Sequence, residues 1–507
     1  GKARSGTALI PFFDSTSVKF GISTRNGDTG VDWGDSSYSN IAPVKMRDYA
    51  DGSPFSYNFV KSYSSALNGS ISIKFLHGLK DVYSIILGMI HTTNQQSKLN
   101  ILDVETFFHQ FPNLFSLCIH EYGAQTTSRM SVIKGDLAKL PNSVERVLIN
   151  QAEILNAATD FTLNFSSYTN LSNLKFFRFQ DTIATTAQST IKVIGDVGKL
   201  PTSCQFLYLQ KASSGSAITY TAGKVWASSF DTLYLPISLG VFENDNLLND
   251  LKNSVTTAIG GKVIYLGGGY RSSASDSAVT YLTGLGFTIS GVIKMQKILD
   301  LPLQNNFIDY SASGISMVAG GTSNQPTFAL SGRKAGEYCA VFNGSQSIKT
   351  TTNLPINSDK ITIAFWMKTT QNGVSIVAEL GVNNSENRLW YILNNVGFKN
   401  SLGDGNGAGG NNIVGNNAAT SSWTHVVSVV DRSLGTSQSK IYFNGILNSS
   451  QNATYNSDLV GNWINAIMHI GQRGGSSLGF NGSLTRLKIY NYPFTPSEVS
   501  TLYNSEL

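Results

Sequence analysis

The sequence predicts a multidomain, mainly β chain, and three observations carry that reading. Six short apolar runs end at Ile119, Ile149, Phe179, Leu209, Leu235 and Leu266, in steps of 30, 30, 30, 26 and 31 residues. A fixed period near thirty marks a solenoid, in which each unit supplies one strand whose apolar face only its neighbours can bury. Charged residues make up 14% of the 507 positions, against roughly 25% in ordinary soluble proteins. Ser, Thr, Asn and Gly must then form the polar surface, as in β-rich extracellular or virion proteins. From about Leu301 the period stops, and long alternating runs set among Gly and Asn take over. A chain of this length exceeds one core and divides into about two to four domains.

The first domain, residues 1–90, reads as short strands punctuated by turns. Ser17-Val-Lys-Phe-Gly-Ile-Ser23 alternates with period two. Gly30-Val-Asp-Trp-Gly-Asp-Ser36 and Tyr63-Ser-Ser-Ala-Leu-Asn-Gly-Ser-Ile-Ser-Ile-Lys74 follow. These phrases resemble the PKD-like immunoglobulin sandwich with its "DWGDG" turn, although Ser36 stands where that family has glycine. Asp32 and Asp35 flank Trp33 as a metal pair would, but Asp residues in such turns more often accept backbone hydrogen bonds. The structural reading is taken here.

Residues 91–290 hold the array. Its match is finer at double the period: Gly135-Asp-Leu-Ala-Lys-Leu-Pro141 returns as Gly195-Asp-Val-Gly-Lys-Leu-Pro201, 60 residues on. Leu140-Pro-Asn-Ser-Val and Leu200-Pro-Thr-Ser-Cys enter two of the strands. This phrase resembles the irregular leucine-rich repeats of BspA-type bacterial surface proteins, which implies a solenoid that presents a surface to a partner. The strands should lie side by side in one parallel sheet, with helices or loops such as Asn156–Tyr168 on the outer side. Cys118 and Cys204 fall inside apolar strands, so the three cysteines, the third being Cys339, are expected as buried free thiols.

Ser290–Leu301 is the expected junction to a third domain, residues 298–507. Its motifs come in order: Ala340-Val-Phe-Asn-Gly-Ser345, Ile361-Thr-Ile-Ala-Phe-Trp-Met-Lys368, Trp423-Thr-His-Val-Val-Ser-Val-Val-Asp431 and Lys440-Ile-Tyr-Phe-Asn-Gly445. Ile470-Gly-Gln-Arg, Phe480-Asn-Gly-Ser-Leu-Thr-Arg-Leu-Lys-Ile-Tyr-Asn491 and Phe494-Thr-Pro-Ser-Glu-Val complete the series. Together they resemble the laminin-G-like, concanavalin A-like jelly roll. Read from the residues alone, Asn-Gly at 343–344, 444–445 and 481–482 suits type I′ hairpin turns.

The chemistry-bearing residues favour binding over catalysis. Retaining glycoside hydrolysis needs two carboxylates about 5–5.5 Å apart, and no E-x-D or E-x-x-x-E pattern occurs in 301–507. HExxH, a P-loop and CxxC are missing, and the six histidines form no HxH or HxxxH pair. No enzymatic activity is expected. Sugar rings stack on aromatic faces, so Trp390 and Tyr391, which alternate in Arg388-Leu-Trp-Tyr-Ile, place one ring outward. Trp463 in Gly461-Asn-Trp-Ile-Asn and Arg473 in Gly471-Gln-Arg-Gly-Gly are the other ligand-binding candidates, and Trp366, Trp423 and His425 read as core. The Gly- and Asn-rich segment 403–417 reads equally as a binding loop or a connection. The jelly-roll resemblance implies a Ca²⁺ near the rim with Asp309 as a ligand, the single cofactor that it admits. Against it, Thr485-Arg486 replaces the family's acidic pair.

The net charge of +5 is spread without a Lys/Arg cluster, so nucleic acid is not indicated as a partner. No run of eighteen apolar residues crosses a membrane. The chain begins at Gly1, which is compatible with a removed leader, anchor or arm. The expected partner is a surface glycan or surface protein, and the expected location is a bacterial cell surface or a virion.

Overall fold

The computed structural model describes residues 6–24, 29–33, 37–41, 59–75, 79–87, 99–120, 131–150, 153–154, 162–180, 192–210, 212, 215–257, 262–320, 324–356, 360–371, 374–380, 389–394, 397–402, 412–416, 421–431, 434, 438–451, 466–474 and 477–507. The chain forms two compact units, Gly1–Lys294 and Met295–Leu507.

In the first unit the strands Ser116–His120, Arg146–Asn150, Phe176–Gln180, Phe206–Leu209, Thr232–Leu235 and Val263–Arg271 are consecutive neighbours in one sheet. Every pairing among them is parallel, with Ile119 opposite Ile149, Ile149 opposite Phe179, Phe179 opposite Leu209, and Leu235 opposite Leu266. Alternation decides the faces. Val147, Phe177, Leu207, Leu233 and Ile264 are fully buried, whereas Leu148, Arg178, Tyr208, Tyr234 and Tyr265 on the opposite face are half-buried.

Parallel strands need a crossover, and the crossovers of the middle units build a second wall. Thr162–Asn164, Lys192–Asp196 and Ala217–Thr219 form a parallel three-stranded sheet. The 3₁₀ segments Phe165–Asn170 and Val197–Lys199 follow strands of this wall, and Leu137–Lys139 follows Ser131–Lys134 of the larger sheet. The outer side is therefore short strands and 3₁₀ turns in the middle units and α-helices elsewhere, Val104–His109, Val241–Ser254 and Asp276–Gly284, where the sequence led us to expect helices or loops. Of Asn156–Tyr168, residues 156–161 lie outside the described residues.

The returning Gly-Asp has a mechanical reason. Asp136 and Asp196 cap their 3₁₀ turns, each accepting at 2.8 Å from the amide two residues on. Gly135 and Gly195 precede them at φ +99° and +88°, and a Cβ on Gly195 would lie 2.4 Å from Asn164 Oδ1. The Leu-Pro-x-Ser phrase ties units together: Ser143 Oγ sits 2.9 Å from Pro112 O and 2.8 Å from Leu114 O, and Ser203 repeats the contact on Ser172 and Leu174.

Among the described residues, the N-terminal strands do not form a separate sandwich. Gly6–Thr24 pairs with Phe59–Phe75 and with Val82–Leu87, and Val82–Leu87 pairs with Ser116–His120 of the array. Trp33, at the turn between Thr29–Asp32 and Tyr38–Ile41, is buried in the core that the array also uses. The backbone edges of these strands are thus satisfied by continuing the sheet, and their apolar faces join the core of the array.

The second unit is a two-sheet structure. An eight-stranded sheet includes Tyr338–Asn343, Lys360–Lys368, Thr424–Asp431, Ser439–Phe443 and Asn481–Tyr490. A seven-stranded sheet runs in the order Met317–Ala319, Ile348–Thr350, Met468–Ile470, Ser375–Leu380, Leu389–Asn394, Gly397–Leu402, Asn412–Asn416. Ile363, Phe365, Leu380, Ile470 and Leu487 belong to the shared core. The other face of the larger sheet is covered by the C-terminal helix Pro496–Glu506, which opens with a Thr495/Glu498 capping box and Pro at its first turn.

Of the three Asn-Gly pairs, one makes the expected hairpin. Asn444 and Gly445 have φ of 50° and 80° between strands in which Phe443 faces Ile446. Asn343 ends a strand and accepts from Ser345, while Asn481-Gly482 begins one. Gly482 is required by contact instead: a Cβ there would meet Phe480 at 2.6 Å and Lys368 O at 2.8 Å.

Candidate functional site: one face of the seven-stranded sheet

Met468, Ile470, Ala378 and Leu380 point into the core, so the residues between them face away from it. Backbone pairing aligns those residues in one row across five strands. Val318 faces Lys349, Lys349 faces His469, His469 faces Glu379, and Glu379 faces the position of Trp390. Glu379 is fully buried and its Oε2 accepts from Gly474 N at 2.8 Å, which fixes the loop carrying Arg473 beside the row. Arg473 itself is held at the backbone, where its amide donates to Ser477 O at 2.8 Å. Burial, and then the Lys349 charge, hold the His469 imidazole below its ordinary pKa. At neutral pH it is an uncharged polar group between a cation and a carboxylate.

The sequence candidates distribute as follows. Arg473 joins this row through Glu379. Trp390 occupies the paired position next to Glu379, and Tyr391 pairs with Ala378, a core residue; their side chains lie outside the described ones. Trp463 and almost all of 403–417 also lie outside the described residues. Trp366 and His425 are core, but Trp423 is only partly buried, its Nε1 donating to Ser331 O at 2.8 Å.

Asp309 has a structural occupation. Its two oxygens accept from Asp300 N, Ser311 N, Ser311 Oγ and Ile315 N, all at 2.8 Å. The nearby Asp300 carboxylate is paired with Lys297, and Arg486, standing where the family motif is acidic, donates to Glu337. A hard cation wants several free oxygen ligands, and among the described residues no three His, Cys, Asp or Glu side chains gather to hold one. The donor set does not fit Ca²⁺.

Glu379, His469 and Lys349 escaped the sequence reading because they are isolated among neutral residues and converge only through strand pairing. One string that pattern matching would flag is Gly475-Ser-Ser-Leu-Gly479, with Gly-x-Ser-x-Gly spacing. Ser477 lies in an antiparallel bridge with Arg473, not on the strand-to-helix turn that exposes a nucleophile.

Among the described residues, the other carboxylates of this unit are tied to partners. Glu337 is clamped by Arg333 and Arg486, and these cations hold its pKa below the usual range against the opposing effect of burial. Glu506 pairs with Lys488 and accepts from Trp366 Nε1 at 2.8 Å. Asp431 faces Lys360, and Glu498 serves the helix cap. No helix among the described residues is long and apolar enough to cross a membrane.

Residues 342–500 match the family profile described as the Concanavalin A-like lectin/glucanases superfamily. No curated protein matches the chain in sequence. Among solved structures, domain 4 of AbnA, a GH43 extracellular arabinanase from Geobacillus stearothermophilus in complex with arabinotriose, is similar at 19% identity over 41% of this chain and 98% of that one, with a TM-score of 0.33. The receptor binding domain of botulinum neurotoxin C/D mosaic serotype (15% identity, 42% of this chain, 51% of that one, TM-score 0.32) and the binding domain of Paraclostridial Mosquitocidal Protein 1 (16%, 42%, 52%, 0.32) are also similar. The motifs, the two sheets and the profile agree: residues 342–500 form a laminin-G-type, concanavalin A-like jelly-roll domain.

Proposed function

We propose that the chain is a non-catalytic surface recognition protein whose jelly roll binds a glycan on the outward face of its seven-stranded sheet. The carrying observation is the row Lys349–His469–Glu379 with Arg473 fixed beside it. Lys349, His469 and Arg473 offer polar groups on rigid strands and on a loop that the buried Glu379 holds in place, which lowers the ordering cost of binding a hydroxyl-rich ligand. The absence of chemistry is supported by the carboxylates of the jelly roll: each described one is tied to a structural partner. In this reading the array is an irregular leucine-rich repeat of BspA type, the N-terminal strands are a PKD-like addition to it, and the protein acts at a bacterial cell surface or on a phage fibre.

A glycan array probed with the full chain, followed by mass analysis of the bound glycans, tests the proposal. Binding that falls in Glu379→Gln and Arg473→Ala supports it. Shortened glycans would replace it with a hydrolase, and binding unchanged in both variants would move the site elsewhere.

A further inference from the structure

The array presents a second face that this function does not use. From Arg146 onward, the residues directed away from the core form two rows across the parallel strands. Neither row contains an Asp or Glu. Arg146 and Arg178 stand on adjacent strands at one end. Beside Leu148, Thr232 and Val263 the rows carry aromatic rings in contact: Phe176 on Phe206 at 4.3 Å, Tyr208 on Tyr234 at 4.7 Å, and Tyr234 on Tyr265 at 4.4 Å, with Phe206 and Tyr208 joining the two groups at 6.4 Å between centroids. The Arg178 guanidinium lies over the Tyr208 ring at 5.3 Å, so cation and stack are one assembly.

We propose that this face is a binding site for an anionic oligosaccharide, its acidic group held by Arg146 and Arg178 and its hydroxyls by Tyr208, Tyr234 and Tyr265. Rings stacked at the strand spacing turn their edges to solvent and set three phenolic oxygens in line, about one strand spacing (~4.8 Å) apart. The stack restrains the rings before ligand arrives, which reduces the entropy lost on binding. Guanidinium matches a carboxylate or sulfate in bidentate geometry. An acidic group and a series of hydroxyls on one linear ligand describe a charged glycan better than an acidic peptide, which lacks the hydroxyls. Uronate and sulfate share this chemistry.

The test titrates the full chain at low salt with oligogalacturonate, a sulfated heparin oligosaccharide, a neutral cello-oligosaccharide and oligoglutamate. The proposal expects one of the two charged sugars to bind above both controls. Arg178→Gln should weaken that binding about tenfold, the loss of one charge-assisted pair. Tyr234→Phe, which keeps the ring and the fold, should weaken it by a smaller factor. Binding of the charged sugar that is lost in Glu379→Gln but kept in Arg178→Gln would belong to the jelly roll and overturn the inference, which separates this site from the one proposed above. The inference is overturned if neither charged sugar binds, if oligoglutamate binds as well as the better sugar, or if folded Arg178→Gln and Tyr234→Phe both bind as wild type.

Discussion

His425 sits beneath the C-terminal helix, its ring centroid 5.1 Å from Trp366 and 5.7 Å from Tyr503, with Nε2 3.8 Å from Glu506. Burial, opposed by Glu506 and assisted by Lys488 and Arg333, lowers its pKa to about 4. An unfolded histidine titrates near 6.5, so the unfolded chain binds the extra proton first. The stability tied to a neutral His425 is complete above about pH 6.5, is lost as pH falls toward 4, and amounts to about 3 kcal/mol. Thermal melts of the jelly roll across that window should show the loss, and His425→Phe should flatten it; an equal slope in the variant would refute the assignment. Glu506→Ala strands Lys488 and the Trp366 N–H and should cost about 3 kcal/mol or more, read by denaturant unfolding. All three cysteines are buried without disulfides, Cys204 with its pKa pushed up to about 11. Cys118 lies in the strand Ser116–His120, whereas Cys204, expected inside a strand, sits two residues before Phe206–Leu209, three strands on in the same sheet; three strand spacings are roughly 14 Å, beyond disulfide reach. A thiol reagent should find none in the native chain and three after denaturation.

At the scale of elements, the parallel array was legible because its inward residues repeat in sequence as they do in space. Ser203 and Asp196 show why the period is so strict: one bonds the previous unit, the other caps its own 3₁₀ turn and accepts Thr221 N at 3.0 Å. Ser203→Ala should cost about 1 kcal/mol, and Asp196→Ala about 1–2 kcal/mol, in urea unfolding of the first unit. Values near zero for both would mean that the repeated phrase has another cause. What the sequence hid was decided by distant neighbours. Asn-Gly reports a local φ preference, which holds at 444–445, but Gly482 is there for Phe480 and Lys368. Glu379 looked isolated because His469 and Lys349 reach it only through strand pairing. Asp309 looked like a ligand because four amide and hydroxyl donors cannot be counted along a sequence.

The molecule as a whole holds two compact units, each with its own core. Ser17–Ser23 and Tyr63–Lys74 lie in the strands Gly6–Thr24 and Phe59–Phe75, and the sheet these share with the array depends on long-range pairing of Gly6–Thr24 that periodicity does not carry. Calorimetry should resolve two unfolding transitions, since separate cores unfold separately; one transition, insensitive to Glu506→Ala, would contradict that division. The central claim is that the jelly roll binds a glycan on its seven-stranded face and leaves it intact. Its most direct test is a calorimetric titration of the best glycan-array hit into wild type, Glu379→Gln and Arg473→Ala, with the recovered glycan weighed afterwards. The account predicts a micromolar to millimolar Kd, about 4–8 kcal/mol, weakened about tenfold in each variant, with the glycan mass unchanged. Equal affinity in all three proteins, or a shortened glycan, would contradict it.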